Sequence, residues 1–154
     1  VGFLVDALQR EGWSAVGIEV SPVLVDCGKT SFGLDLRLAR FESLEPFTDL
    51  DAVTLVEIIE HLFDPVAVLR QIHAWLRPGG AVYITTPNLD CDDRRRAGMG
   101  WDAICADHYQ YFTATTLRRA LEMTGFRVRA IVEIGSLGRN ERGGKTLRCV
   151  AVAE

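Results

Sequence analysis

Residues 51–88 read DAVTLVEIIEHLFDPVAVLRQIHAWLRPGGAVYITTPN, and this stretch decides the fold. Asp51 to Val56 is a short apolar run with β-branched residues. It stops where Glu57-Ile58-Ile59-Glu60-His61 begins, which marks the carboxyl end of a buried strand. Asp64 followed by Pro65 is a helix start, with Asp64 as N-cap and Pro65 in the first turn, where a missing N–H costs nothing. Val68, Leu69, Ile72, Trp75 and Leu76 then recur at helical spacing. Pro78-Gly79-Gly80 ends the helix and reverses the chain into a second strand, Ala81 to Thr86, closed by Pro87-Asn88. The unit is β-α-β, with a helix crossing over between parallel strands. Ligands of such sheets sit beyond the carboxyl ends of the strands, where the Glu57–His61 and Thr85–Asn88 corners both lie.

Working outward, Gly2 to Gly12 reads as an amphipathic helix, with Phe3, Leu4, Ala7 and Leu8 on one face. Trp13 to Val20 is a strand that closes on Glu19. A carboxylate there has two oxygens spaced for the hydroxyls of a ribose, although a solvated strand-end glutamate fits equally well. Ser21-Pro22 opens a helix running to Gly33, and Leu36 to Phe41 alternates as a strand. Leu89 to Ala106 is polar. Its run Asp92-Asp93-Arg94-Arg95-Arg96 reads as solvated loop, placed over the strand ends where a lid would lie. Trp101 either walls a pocket or anchors that loop. Thr113 caps a helix from Ala114 to Thr124, and Gly125 ends it. Phe126–Ile134 and Thr146–Val152 read as an antiparallel strand pair joined by a Gly-, Arg- and Asn-rich loop.

The 154 residues are 48% apolar and 25% charged, with a net charge of −4. This is one domain with a real core, without the basic balance of a general nucleic-acid binder. No apolar run approaches the roughly 20 residues of a membrane span. Cys27, Cys91, Cys105 and Cys149 form no C-x-x-C pair, the pattern of free thiols in a reducing cytoplasm.

Glu60-His61-Leu62 with Asp64-Pro65, then Leu76-Arg77-Pro78-Gly79-Gly80, Thr86-Pro87-Asn88 and Gly125-Phe126, resemble in order and spacing the class I S-adenosylmethionine-dependent methyltransferases. The resemblance implies a single α/β domain over residues 1–154. Its sheet would be Rossmann-like and doubly wound, mostly parallel with an antiparallel C-terminal strand, and its cofactor S-adenosylmethionine. In that family Gly2 would be the last glycine of a cofactor loop, and Glu19 with Val20 would hold the ribose. Arg40, Phe41 and Glu42 would lie along the adenine, and Glu57 and Ile58 would end the next cofactor-side strand. The first strand and the rest of the glycine-rich loop are then expected to precede Val1. Their lack would leave backbone groups unpaired between the strands ending at Glu19 and Glu57, and cofactor binding weak. A nicotinamide-dependent dehydrogenase shares the acidic strand end but leaves Glu60-His61 unexplained. A silent scaffold that has lost the cofactor loop is the alternative outside enzymes.

Glu57, Glu60 and His61 fall within five residues. A helical turn starting at Ile58 would put both carboxylates on one face beside the imidazole. With His108 as a fourth ligand they form a candidate site for Mg2+, Mn2+ or Zn2+. The pattern resembles small-RNA 3′-terminal 2′-O-methyltransferases and also the methyltransferases of ubiquinone biosynthesis that act on catechol oxygens. In both, a metal would hold the acceptor oxygens and lower their pKa. Many relatives with the same Glu-His corner use no metal, and there His108 or His61 would take the acceptor's proton. His108 before Tyr111-Phe112, with Gly143-Gly144 before Leu147-Arg148, also resembles sugar C-methyltransferases. A small-molecule hydroxyl is the expected acceptor, and Arg94–Arg96 is the one patch suited to a nucleotide end.

Overall fold

A computed structural model describes residues 2–135 and 143–154, so most of the loop expected between the last two strands lies outside the described residues, as does the Glu42 side chain. The backbone forms two compact units, Val1–Glu45 and Pro46–Glu154.

The first unit contains α1 (Phe3–Arg10), β1 (Gly17–Glu19), α2 (Pro22–Phe32) and β2 (Leu36–Leu38). α2 starts and stops where its sequence dictates. Ser21 Oγ accepts the Leu24 N–H, Pro22 sits in the first turn, and Gly33 ends the helix in the left-handed region. Val25, Leu34 and Leu36 form a small core with Val5 packed against it. A Cβ at Gly2 would lie 2.4 Å from Leu34 Cδ1, and one at Gly17 2.5 Å from Leu36 Cδ2, so both positions need glycine for the chain to pass this core.

Both strands of this unit are shorter than expected. β1 and β2 pair in parallel from Gly17 opposite Leu36 to Glu19 opposite Leu38. At its carboxyl end β1 stops where Glu19 Oε1 accepts the N–H groups of Val20 (2.8 Å) and Ser21 (2.9 Å), and residues 13–16 lie outside the strand. Phe41, expected at the end of the second strand, lies in a 3-10 turn over Phe41–Ser43.

The second unit contains β3 (Leu50–Val56), α3 (Pro65–Trp75), β4 (Leu76–Pro87), α4 (Asp92–Ala97), α5 (Ala114–Glu122), β5 (Phe126–Ile134) and β6 (Thr146–Ala153). Its sheet has the order β3-β4-β6-β5. β3 and β4 are parallel, while β6 runs antiparallel to both β4 and β5, so the hairpin at the chain's end inserts its last strand inside the sheet. Cross-strand rows set one face of the core: Leu55, Ile84 and Cys149 stand opposite one another, and all three are buried. From the helices, α3 buries Val68, Leu69, Ile72 and Trp75, and α5 buries Leu117 and Leu121.

Asp64 caps α3, its Oδ1 accepting the Ala67 N–H at 2.9 Å. β4 then begins at Leu76 rather than Ala81. Leu50 pairs with Leu76 and Ala52 with Ala81, so residues 77–80 bulge from a ladder that has already begun. Gly79 has φ 76°, and a Cβ on Gly80 would lie 2.9 Å from the carbonyls of Arg77 and Leu50. The stretch read as solvated loop contains α4, in which Arg95 and Arg96 pair one turn back with Asp92 and Asp93. These i,i+3 pairs close a helical turn that the charge run alone concealed.

α5 carries a complete capping box, with Thr113 Oγ1 accepting the Thr116 N–H and Thr116 Oγ1 accepting the Thr113 N–H. Thr113→Ala is expected to cost about 1 kcal/mol, seen in thermal melts as a fall in Tm of about 2–4 °C. Among the described residues no helix is long and apolar enough to cross a membrane.

Candidate functional site

The corner after β3 is built on a strained residue. Glu57 has φ 52°, a left-handed conformation uncommon outside glycine and found at sites the surroundings enforce. Its N–H donates to the Thr85 carbonyl (3.0 Å) and to Thr85 Oγ1 (3.2 Å) on β4. Ile58 follows, partly exposed, and a 3-10 turn runs over Ile59–His61, one residue later than expected. That turn sends Ile59 and Glu60 inward, to 0% and 1% exposure.

Glu60 is the buried charge of this corner. Thr86 Oγ1 donates to its Oε2 at 2.9 Å, and the N–H groups of Tyr109 and Gln110 both donate to its carbonyl. Oε1 is buried with no partner. Burial holds the Glu60 carboxyl above the usual carboxylate range, against the opposing pull of its hydrogen bonds. The two Glu60 carbonyl bonds fasten the 105–112 segment to the corner. His61 Nδ1–H donates to the Asp107 carbonyl at 2.8 Å. The His61 and His108 rings meet edge to face, 4.6 Å between centroids, and His108 Nδ1 is shielded without a partner.

Glu60, His61 and His108 can therefore each present a ligand atom within 4.8 Å of the others. Glu57, expected in the same set, is not in it: the left-handed turn and the late start of the 3-10 turn separate it from Glu60. One carboxylate and two imidazoles fit a divalent cation, and the unpartnered Glu60 Oε1 and His108 Nδ1 are the atoms such an ion would satisfy. With one carboxylate fewer, the set suits a borderline ion better than oxygen-seeking Mg2+.

The other expected positions fall in the first unit. Glu19 ends β1 with Oε1 committed to its own turn, so Oε2 remains for a ligand. Val20 is exposed, Arg40 precedes the 3-10 turn that Phe41 opens, and Gly2 is the left-handed N-cap of α1. In the second unit Trp101 is buried and anchors its loop, and two open depressions of about 360 and 260 Å3 flank it. Arg95 and Arg96 are ion-paired and Lys145 shares Asp93 at 2.6 Å, while the Nε of Arg94 is buried with no hydrogen-bond partner.

The Lys145 ammonium, and less strongly Arg96, holds the Asp93 carboxyl below the usual carboxylate range. A depressed pKa in the fold contributes stability above the unfolded-state value, lost as pH falls through the folded one. Asp93→Asn is thus expected to lower Tm at neutral pH and to leave it unchanged in acid, as melts across pH would show.

Asp107 escaped the sequence reading, and Cys105 entered it only as a free thiol. The sequence places Thr85 and Thr86 at a ligand-side corner, but their hydrogen bonds to Glu57 and Glu60 leave no mark in a strand pattern. Cys105-Ala106-Asp107-His108 did carry a signal, three ligand-type residues within four positions.

A family profile described as "Methyltransferase domain" matches residues 1–131. The chain belongs to this methyltransferase family. It is a class I S-adenosylmethionine-dependent methyltransferase domain, and the mixed α/β sheet is that of the Rossmann-like fold. The ubiquinone biosynthesis O-methyltransferase of Xanthomonas campestris is 34% identical over 94 residues, covering 56% of this chain and 39% of that protein. The enzyme of the same description from Aeromonas salmonicida is 29% identical over 153 residues, covering 83% of the chain and 60% of the relative. The chain thus spans two fifths to three fifths of these relatives. Among solved structures, a complex between the Haloferax volcanii Trm112 methyltransferase activator and a methyltransferase matches with a TM-score of 0.78. That match has 22% identity and covers 99% of this chain and 77% of the other. At that identity the methyltransferase domain shares a fold with it and nothing more specific.

Proposed function

We propose that this methyltransferase domain transfers the methyl group of S-adenosylmethionine to a hydroxyl oxygen of a small molecule, a catechol-type ring being the acceptor that the resemblance to ubiquinone biosynthesis O-methyltransferases implies. The observation that carries this reading is the meeting of Glu60, His61 and His108 at the carboxyl ends of β3 and β4. The sulfonium is already an activated leaving group, so the protein has to align oxygen, methyl carbon and sulfur in line and remove one proton. The acceptor oxygen forms a bond to the methyl carbon as the carbon–sulfur bond breaks, and S-adenosylhomocysteine leaves. His108 accepts the hydroxyl proton, and His61 packs against its ring to fix its orientation. The cofactor candidates of the first unit are Glu19, whose Oε2 is left for a ribose hydroxyl, Gly2, Val20, Arg40 and Phe41, and those of the second unit are Glu57 and Ile58.

A divalent cation, where one is used, would be held by Glu60, His61 and His108, and His108 would then be a ligand in place of a proton acceptor. The cation supplies Lewis acidity that makes the acceptor hydroxyl easier to deprotonate. The net charge of −4 favours a small acceptor over an RNA end. The test is transfer of labelled methyl to a panel of catechols, sugars and RNA ends, with and without chelator. O-methylated catechol is the expected product. Methylation confined to RNA ends or to carbon would overturn the acceptor assignment, and full activity in chelator would remove the metal.

A further inference from the structure

The segment before Phe112 holds a second group of metal-ligand side chains. Cys105 Sγ, a carboxylate oxygen of Asp107 and a ring nitrogen of His108 lie within 4.8 Å of one another. His108 also belongs to the Glu60–His61–His108 triad, so the two groups meet at a single imidazole. Two buried atoms there lack partners: Oε1 of Glu60, on a side chain only 1% exposed, and Nδ1 of His108. A buried carboxylate oxygen with nothing to bind is the feature a cation would relieve. The two groups are already tied together, since His61 Nδ1 lies 2.8 Å from the Asp107 carbonyl and 3.7 Å from its Oδ2.

The thiol decides which cation. Sulfur with imidazole nitrogen selects a borderline to soft ion, whereas Mg2+ and Ca2+ recruit oxygen and leave a thiol unused. Zinc binds thiolate at about 2.3 Å and imidazole at about 2.0–2.1 Å in a tetrahedron. Those lengths put neighbouring ligand atoms roughly 3.3–3.8 Å apart, and the three atoms here lie within 4.8 Å of one another. Cys105 and Asp107 are exposed, which provides the entry path, and no other cysteine shares the group.

We infer that Cys105, Asp107 and His108 bind a zinc-class divalent cation, with the Glu60 carboxylate as the adjoining buried charge. This differs from the cation considered at the acceptor corner, because it requires the thiol and holds whether or not the acceptor is a catechol. Binding proceeds by loss of the Cys105 thiol proton to solvent as the sulfur–metal bond forms, with no change of oxidation state.

The test titrates the reduced, metal-free protein with Co2+ and then displaces it with Zn2+. The expected result is one equivalent of Co2+ with a near-ultraviolet thiolate-to-cobalt band that Zn2+ abolishes. Cys105→Ser should lose the band and bind Zn2+ at least tenfold more weakly, and His108→Ala likewise. In the unsubstituted protein, Zn2+ should slow alkylation of Cys105, read by mass spectrometry, which needs no variant to fold. Cobalt binding without the band, equal zinc affinity in Cys105→Ser, or undiminished alkylation with Zn2+ present would each overturn the site.

Discussion

Replacing His108 with alanine is expected to lower kcat for methyl transfer by about 10²–10⁴-fold, the range that a positioned proton acceptor supplies, with the Kd of S-adenosylhomocysteine changed little. His108 is held in place rather than presented on a free loop. The two amide bonds to the Glu60 carbonyl come from Tyr109 and Gln110, the next two residues, and the His61 ring lies against its edge. Removing the imidazole should therefore remove chemistry and spare the fold. Single-turnover kinetics and calorimetry with S-adenosylhomocysteine would separate the two effects. Lost cofactor binding with an unchanged chemical rate would assign His108 to the cofactor side instead.

Ile84→Ala is expected to destabilise the second unit by about 2–5 kcal/mol, against a total of roughly 5–15 kcal/mol for a domain. Ile84 is 0% exposed and stands in β4 between Leu55 of β3 and Cys149 of β6. Strands on both sides leave little room for the site to relax around the lost methyl groups. Burial also pushes the Cys149 thiol up to about 11, so it should resist alkylation in the native protein and become reactive near neutral pH once Ile84→Ala loosens the row. Chemical denaturation and thiol labelling measure the two effects together. The exposed Val20→Ala is the contrast, with a change within about 0.5 kcal/mol.

The sequence made the second unit legible and the first only in part. Asp64-Pro65, Ser21-Pro22 and Thr113 each announced a helix start, because a cap is a local interaction complete within four residues. The strand pair at the carboxyl end was readable from its alternation. Its position inside the sheet, with β6 between β4 and β5, depends on pairing that no local pattern encodes. β1 stops at Glu19 because that carboxylate binds the next two backbone N–H groups, a competition that apolar periodicity does not register. At the candidate site the residues Glu60, His61 and His108 were named correctly as neighbours. Glu57 was separated from them by its own positive φ, and a non-glycine residue in that conformation is invisible to propensity. Cys105 and Asp107 stand in a polar segment without apolar periodicity, so only their spacing to His108 marks them.

The measurement that bears most directly on the claim that these residues serve methyl transfer to oxygen is product analysis. The protein is incubated with isotopically labelled S-adenosylmethionine and a catechol, and the product is resolved by mass spectrometry and NMR. The expected result is a labelled O-methyl ether, formed by the unsubstituted protein and reduced by two orders of magnitude or more in His108→Ala. S-adenosylhomocysteine binding with no methyl transfer to any oxygen acceptor, or transfer that His108→Ala leaves untouched, would contradict it.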